Sequence, residues 1–386
     1  PFMEAIRQMS VNVGYHTHII VHVTLLPYVK ASEEVKTKPT QHSVMRLREI
    51  GLTPDFILCR SETRIKKSVK EKIALFCNVD AAHVIEGQDV NSIYEVPLLL
   101  DKQKLGQLIF ERMRFSGGTD VSALQKFIHH YRNPVHSVTI AMCGKYTELP
   151  DAYKSVLEAF NHAGVENDSQ IIIKWVATDD LRSLKHCENE FAAVNGILLL
   201  PGFGKRGSEG KILACQYARE NNVPFLGICL GLQCAVIEFA RNICGLKNAN
   251  STEFDSKTPY PVIDLMESQR MVKKKGGTMR LGAYKCELKS DSQVLTEYRK
   301  KKISERHRHR WEVNNRFRTK LEKNGLIVSG LNPELNLVEI IELEDHPWFI
   351  GCQFHPELKS RVLKAHPLFR GFIGASVEYI NGQSFE

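Results

Sequence analysis

Val223-Pro-Phe-Leu-Gly-Ile-Cys-Leu-Gly231 runs from an apolar stretch directly into a Gly-x-Cys-x-Gly turn. This reads as a nucleophile elbow: a strand, a sharp turn that small glycines permit, and a helix, with the side chain at the apex left standing free. The next segment, Leu232–Cys244, places Leu232, Val236, Phe239 and Ile243 at helical spacing. Cys229 is therefore expected at a helix N-terminus, where partial positive charge favours a thiolate. Far along the chain comes Gln353-Phe-His-Pro-Glu357, in which His355 and Glu357 alternate at the end of an apolar strand and share one side. The histidine can take the thiol proton and the carboxylate can orient the imidazole. A cysteine between apolar residues is usually an inert buried hydrophobe, and His-x-Glu alone says nothing. The two segments together carry the reading.

Working outward, Val138–Met142, Ile171–Val176, Gly196–Leu200 and Pro224–Ile228 read as strands of one α/β unit. A helix is expected over Leu149–His162, with Gly164 as its stop. Cys229 then falls at the carboxyl end of a strand, where open parallel sheets place ligands. Leu326–Ser329, Leu337–Leu343 and Phe349–Phe354 add later strands. Before Phe115-Ser-Gly-Gly-Thr-Asp120, the strands His18–Leu26 and Phe56–Cys59 alternate with helices at Met45–Ile50 and Lys70–Phe76, which reads as a second α/β region. The expected organisation is 1–114, an ordered linker 115–137 holding a short helix, and 138–386.

Composition narrows the class. No apolar run exceeds strand length, so no membrane span or signal peptide is expected. The 10 cysteines form no CxxC pair, and with Cys229 as a nucleophile they point to a reducing, cytosolic compartment. A formal charge of +8, clustered at Lys66–Lys72, Lys273–Lys275, Arg299–Lys302 and Arg306–Arg310, suits anionic ligands. No stacking aromatics accompany these clusters, so nucleotides are a better expectation than nucleic acid. The chain opens at Pro1 inside an amphipathic pattern (Phe2, Ile6, Met9), which reads as a fragment of a longer protein.

The elbow and the His-x-Glu pair, in this order, resemble the glutaminase domain of class I glutamine amidotransferases. Four further motifs narrow the family: Lys36-Thr-Lys-Pro-Thr-Gln-His-Ser43, Asn248-Ala-Asn-Ser-Thr-Glu-Phe254, Gly276-Gly-Thr-Met-Arg-Leu-Gly282 and Arg306-His-Arg-His-Arg-Trp-Glu-Val-Asn314. Together they resemble the CTP synthase family, whose members aminate UTP with glutamine nitrogen and ATP. The resemblance implies an α/β fold, with part of a parallel-sheet synthetase (amidoligase) domain preceding a class I glutamine amidotransferase domain. It implies a Cys229–His355–Glu357 triad, an oxyanion hole of backbone amides near Gly202 and at Leu230, and glutamine held by Gly202, Leu230, Gly231, Leu232, Gln233, Glu253 and Arg310. It assigns UTP, or inhibitory CTP, to Lys36, Thr37, Lys38, Pro39, Thr40, Gln41 and Lys72. ATP falls to Gln88, Asp89 and Val90, and the activator GTP to Arg206, Gly207, Glu209, Thr278 and Arg280. A cytoplasmic homotetramer is implied, with no nucleic-acid or membrane partner.

Three departures stand out. No Gly-x-x-x-x-Gly-Lys-Ser/Thr phosphate loop occurs, so the ATP-bound Mg2+ is expected to find its ligands outside this chain, with no metal site within it. The family's Pro-Gly-Gly-Phe-Gly is shortened to Pro201-Gly-Phe-Gly204, and Glu33-Glu34 stands where Gly-Glu is usual. These departures leave two alternatives beside CTP synthesis: a glutaminase-only subunit, or a catalytically impaired regulatory paralogue.

Overall fold

The computed structural model describes residues 1–145, 147–265 and 279–383. The chain divides into Pro1–His129 and His130–Glu386, a division that falls within the helix Ser122–Arg132. That helix occupies about half of the segment expected as a linker and buries Phe127 and Ile128.

In the first unit, Val21–Leu25, Phe56–Ser61 and Val84–Gln88 form a parallel sheet with Phe56–Ser61 in the middle. The central strand is buried because Phe56, Ile57 and Cys59 fill both faces. Leu26, Val44, Ile65, Ile73 and Val84 complete that core. The opening helix, Phe2–Val13, forms as its spacing suggests, yet none of its residues is buried.

The second unit is built on nine strands. Their order is Lys302–His309, Arg280–Leu288, Leu326–Asn332, Leu337–Leu343, Phe349–Cys352, Phe225–Ile228, Gly196–Leu199, His136–Gly144 and Ser169–Ala177. The last five run parallel, and the first four extend the sheet antiparallel. The parallel strands read as near-continuous apolar runs because helices cover both faces, as the two buried clusters around Phe225–Ile228 show. Cys229 follows the inner strand Phe225–Ile228, at its carboxyl end.

One helix differs from expectation. Pro150–Tyr153 forms a 3-10 turn and the α-helix runs Lys154–Glu166, straight through Gly164. Gly164 is therefore not a stop signal. A Cβ there would lie 2.6 Å from the Ser169 carbonyl oxygen, so the glycine allows the helix to lie against the following strand.

Candidate active site

Cys229 sits at φ 54° and ψ −100°, between the strand Phe225–Ile228 and the helix Leu230–Asn242. A non-glycine residue in that region is strained, and such strain persists only where packing on both sides dictates it. The flanking glycines serve contact rather than torsion. A Cβ on Gly227 would lie 2.8 Å from the Gly231 carbonyl carbon, and one on Gly231 would lie 2.8 Å from the Leu199 carbonyl oxygen. Gly231→Ala must push the helix off the strand Gly196–Leu199. The expected result is a loss of roughly 1–3 kcal/mol in stability, with a fall in glutamine hydrolysis, measured by thermal unfolding and glutamate release. Unchanged values for both would mean that the elbow does not depend on this contact.

The neighbouring strand brings the histidine. Phe349–Cys352 pairs in parallel with Phe225–Ile228, and the Cys229 N–H donates to the Cys352 carbonyl at 2.7 Å. The chain then continues to His355, whose backbone N–H donates to the Arg306 carbonyl at 2.8 Å. His355 Nδ1 lies 2.7 Å from Glu357 Oε1, which makes Nδ1 the donor and leaves Nε2 for chemistry. Nε2 is buried. Burial opposes charging the ring, but Cys229 and Glu357 outweigh it, and the His355 pKa is pushed up to about 10. Cys229, His355, Glu357, Gly202, Phe203 and Arg308 all line one cavity of about 430 Å³.

The expected glutamine ligands are distributed unevenly around this cavity. Gly202 is on its wall, whereas Leu230, Gly231, Leu232 and Gln233 form the first turn of the helix behind Cys229 and are buried. Glu253 accepts the Gly204 N–H at 2.7 Å, so it is tied to the shortened turn. Arg310 is buried, and it is Arg308 that reaches the wall. Sequence reasoning missed Arg308. It also missed two lysines that fix the turn. Lys145 donates to the carbonyls of Phe203 and Gly204 at 2.5 and 2.9 Å. The fully buried Lys211 donates to Leu200 at 2.5 Å. Burial lowers the pKa of both. Neither lies beside the turn in sequence, so no local pattern marks them.

The nucleotide candidates lie in the first unit. Thr37 precedes the helix Lys38–Glu49, with Pro39 in its first turn. Gln41 Nε2 donates to Thr37 Oγ1 at 3.2 Å, and the buried Thr40 hydroxyl meets Thr24 at 2.8 Å. Lys36 pairs with Glu34 at 2.5 Å. The Glu34 carboxyl is held below its usual range by that hydrogen bond from Lys36, with a smaller contribution from Lys72. Glu33, the residue that stands in place of a family glycine, adopts a left-handed φ of 46°, a conformation that costs a non-glycine residue roughly 1–2 kcal/mol. Gln88 ends the strand Val84–Gln88, just before Asp89 and Val90. Asp89 pairs with Arg60 at 2.8 Å.

Among the described residues the effector candidates divide between the neighbouring Arg206, Gly207 and Glu209 and the buried Arg280. Arg206 lies 3.4 Å from Asp179, and Glu209 is forked by Arg241 at 2.7 and 3.2 Å. Gly207 has φ 70°, where a Cβ would meet Thr178 Oγ1 at 2.5 Å. Thr278 lies outside the described residues. Arg280, which the resemblance assigns to GTP, is buried in an ion-pair cluster. It is 4 % exposed and bonds Glu312 at 3.0 Å and Glu339 at 2.7 Å. Its strand, Arg280–Leu288, is internal to the nine-stranded sheet, and this points the guanidinium inward.

Residues 148–375 match the family described as glutamine amidotransferase class-I, and residues 1–115 match the one described as CTP synthase N-terminus. The CTP synthase of Cytophaga hutchinsonii is 50 % identical over 385 residues, covering 99 % of this chain and 71 % of its own. The chain belongs to the CTP synthase family. That makes it a glutamine-hydrolysing ligase of pyrimidine biosynthesis. The CTP synthase of Caldanaerobacter subterraneus subsp. tengcongensis is 51 % identical over 376 residues, covering 97 % of this chain and 70 % of its own. Among solved structures, the glutaminase domain of Trypanosoma brucei CTPS with bound acivicin aligns at a TM-score of 0.59 and 34 % identity, covering 62 % of this chain and 94 % of that one. Among the described residues, no helix is long and apolar enough to cross a membrane.

Proposed function

We propose that this chain hydrolyses glutamine at Cys229 and directs the ammonia to ATP-dependent amination of UTP, as a cytoplasmic homotetrameric CTP synthase. The supporting observation is the strained Cys229, which shares a cavity with a buried, Glu357-oriented His355. The Cys229 thiolate attacks the side-chain carbonyl carbon of glutamine. The C–N bond breaks as His355 Nε2 gives its proton to the leaving nitrogen, and a γ-glutamyl thioester remains. His355 then takes a proton from water, which attacks the thioester carbonyl and releases glutamate. The amides of Gly202 and Leu230 stabilise the oxyanion in both halves. Glu253 and Arg310 orient the amino acid, with Arg308 adding positive charge at the cavity wall.

UTP binds at Lys36–Gln41 and Lys72, ATP at Gln88–Val90, and GTP near Arg206, Gly207 and Glu209; CTP competes as inhibitor. Among the described residues no group of three or more His, Cys, Asp or Glu side chains could hold a metal ion.

Mixing the protein with glutamine, quenching in acid and digesting should yield a glutamyl adduct on the Cys229 peptide. Steady glutamate release with an adduct on a different cysteine, or with none, would overturn the assignment.

A further inference from the structure

Gln353 is 0 % exposed and lies two residues before His355, yet the mechanism above gives it no part. Its Nε2 lies 3.6 Å from Cys229 Sγ, the reacting atom. Its Oε1 lies 3.2 Å from Gln233 Nε2, which also donates to the Trp311 carbonyl at 2.9 Å. We propose that Gln353 is a further catalytic residue of the glutaminase site, its amide N–H holding the Cys229 sulfur in its charged, attack-ready state. The inference rests on the proposed role of Cys229 as nucleophile.

The direction of the Gln353 amide follows from the far end of this relay. A backbone carbonyl only accepts, so the Gln233 group facing Trp311 must be its NH2. The second hydrogen of that NH2 points at Gln353, which must answer with its oxygen. Gln353 is left with its NH2 toward Cys229, and both amides are locked in one orientation. A donor at that place favours a sulfur anion over a neutral thiol. It also limits rotation of the side chain about its own bond, so that the sulfur stays in the cavity it shares with His355. Trp311 belongs to the strand Trp311–Val313, and the Gln353 backbone N–H donates to the Glu339 carbonyl at 2.8 Å. The relay is therefore anchored to strands on both sides.

His355, from the segment after the strand Phe349–Cys352, and Lys211, from the helix Ser208–Glu220, interact electrostatically with this sulfur. Glu357 and Arg308 line the same cavity. Gln353 is the neutral member of the set, so replacing it changes hydrogen bonding without changing net charge.

The test is the pH dependence of Cys229 alkylation by iodoacetamide, followed on the Cys229 peptide in the native chain. Gln353→Met keeps volume and removes the donor. It should raise the alkylation midpoint by about one pH unit, the scale of one hydrogen bond to a charged group, and lower kcat for glutamine about tenfold with KM nearly unchanged. Gln233→Leu, which frees the Gln353 amide to turn, should shift the midpoint the same way by less. Gln353→Asn, a shorter donor, should show whether the amide itself or only its reach matters. A midpoint unmoved in Gln353→Met, in a protein with unaltered thermal unfolding, overturns the inference while leaving the nucleophile in place. If Cys229→Ala still hydrolyses glutamine, the underlying reading itself is wrong. If Gln353→Met does not fold, the midpoint in Gln233→Leu decides.

Discussion

Cys229→Ala and His355→Ala are each expected to lower glutamine turnover by about 10⁶-fold, and the double variant by little more, because nucleophile and base act as one unit. Glu357→Gln should cost less, on the order of 10⁴-fold, since it removes only the group that orients the ring. Release of glutamate measures all four. The geometry behind this order is specific: Glu357 touches Nδ1 at 2.7 Å, and His355 reaches the thiol only through its other nitrogen. The pH dependence follows from the raised His355 pKa. Burial opposes the charged ring, while Cys229 and Glu357 favour it more strongly, giving about 10 in the folded protein against 6.5 for an ordinary histidine. A raised value means that the proton stabilises the folded state fully below about pH 6.5, and that this contribution is lost as pH rises through about 10. In the proposed mechanism the imidazolium is also the acid that protonates the leaving nitrogen, so hydrolysis should fall along the same limb. A hydrolysis rate still climbing above pH 10 would place the essential acid on a different group.

The elbow was legible because its constraint is local: five residues, two of them glycine, must make a strand end, a strained turn and a helix start. The pairing of His355 with Glu357 was also legible, but a 3-10 turn over Pro356–Leu358 makes it rather than strand alternation; the parallel strands announced themselves as apolar runs. The remaining features arise from pairings that no local window contains. Lys145 and Lys211 look like solvated lysines until the carbonyls of Phe203, Gly204 and Leu200 are seen beside them. Gly164 reads as a helix stop because the approach of Ser169 is a tertiary fact. Arg308 and Arg310 are indistinguishable in an alternating basic run; only their burial separates the cavity wall from the interior. The antiparallel strands Arg280–Leu288 and Lys302–His309 were not among the expected strands, because charged residues interrupt them and no apolar run marks them.

Arg280→Met is expected to destabilise the second unit by about 3–5 kcal/mol, the usual consequence of removing one partner from a buried ion pair. In a unit of this size that corresponds to a fall in Tm of roughly 6–20 °C. The guanidinium joins Glu312 at 3.0 Å and Glu339 at 2.7 Å, and its flat face lies 4.2 Å from the Tyr284 ring. Burial alone would lower its pKa, but the two carboxylates outweigh that and raise it. Each carboxylate also takes a histidine at 2.6 Å, His307 on Glu339 and His309 on Glu312. Without Arg280, two buried acids would share those histidines alone. Adding Glu312→Gln and Glu339→Gln to Arg280→Met should recover part of the lost stability, since uncompensated charge rather than lost packing makes up most of the cost. The consequence reaches Cys229, because Glu339 supplies the carbonyl that holds Gln353 and Glu312 follows Trp311, whose carbonyl holds Gln233. Thermal unfolding and GTP response measured together separate the two roles considered for this arginine. A buried strut gives a large loss of stability, whereas an effector contact would give an intact Tm with GTP activation abolished.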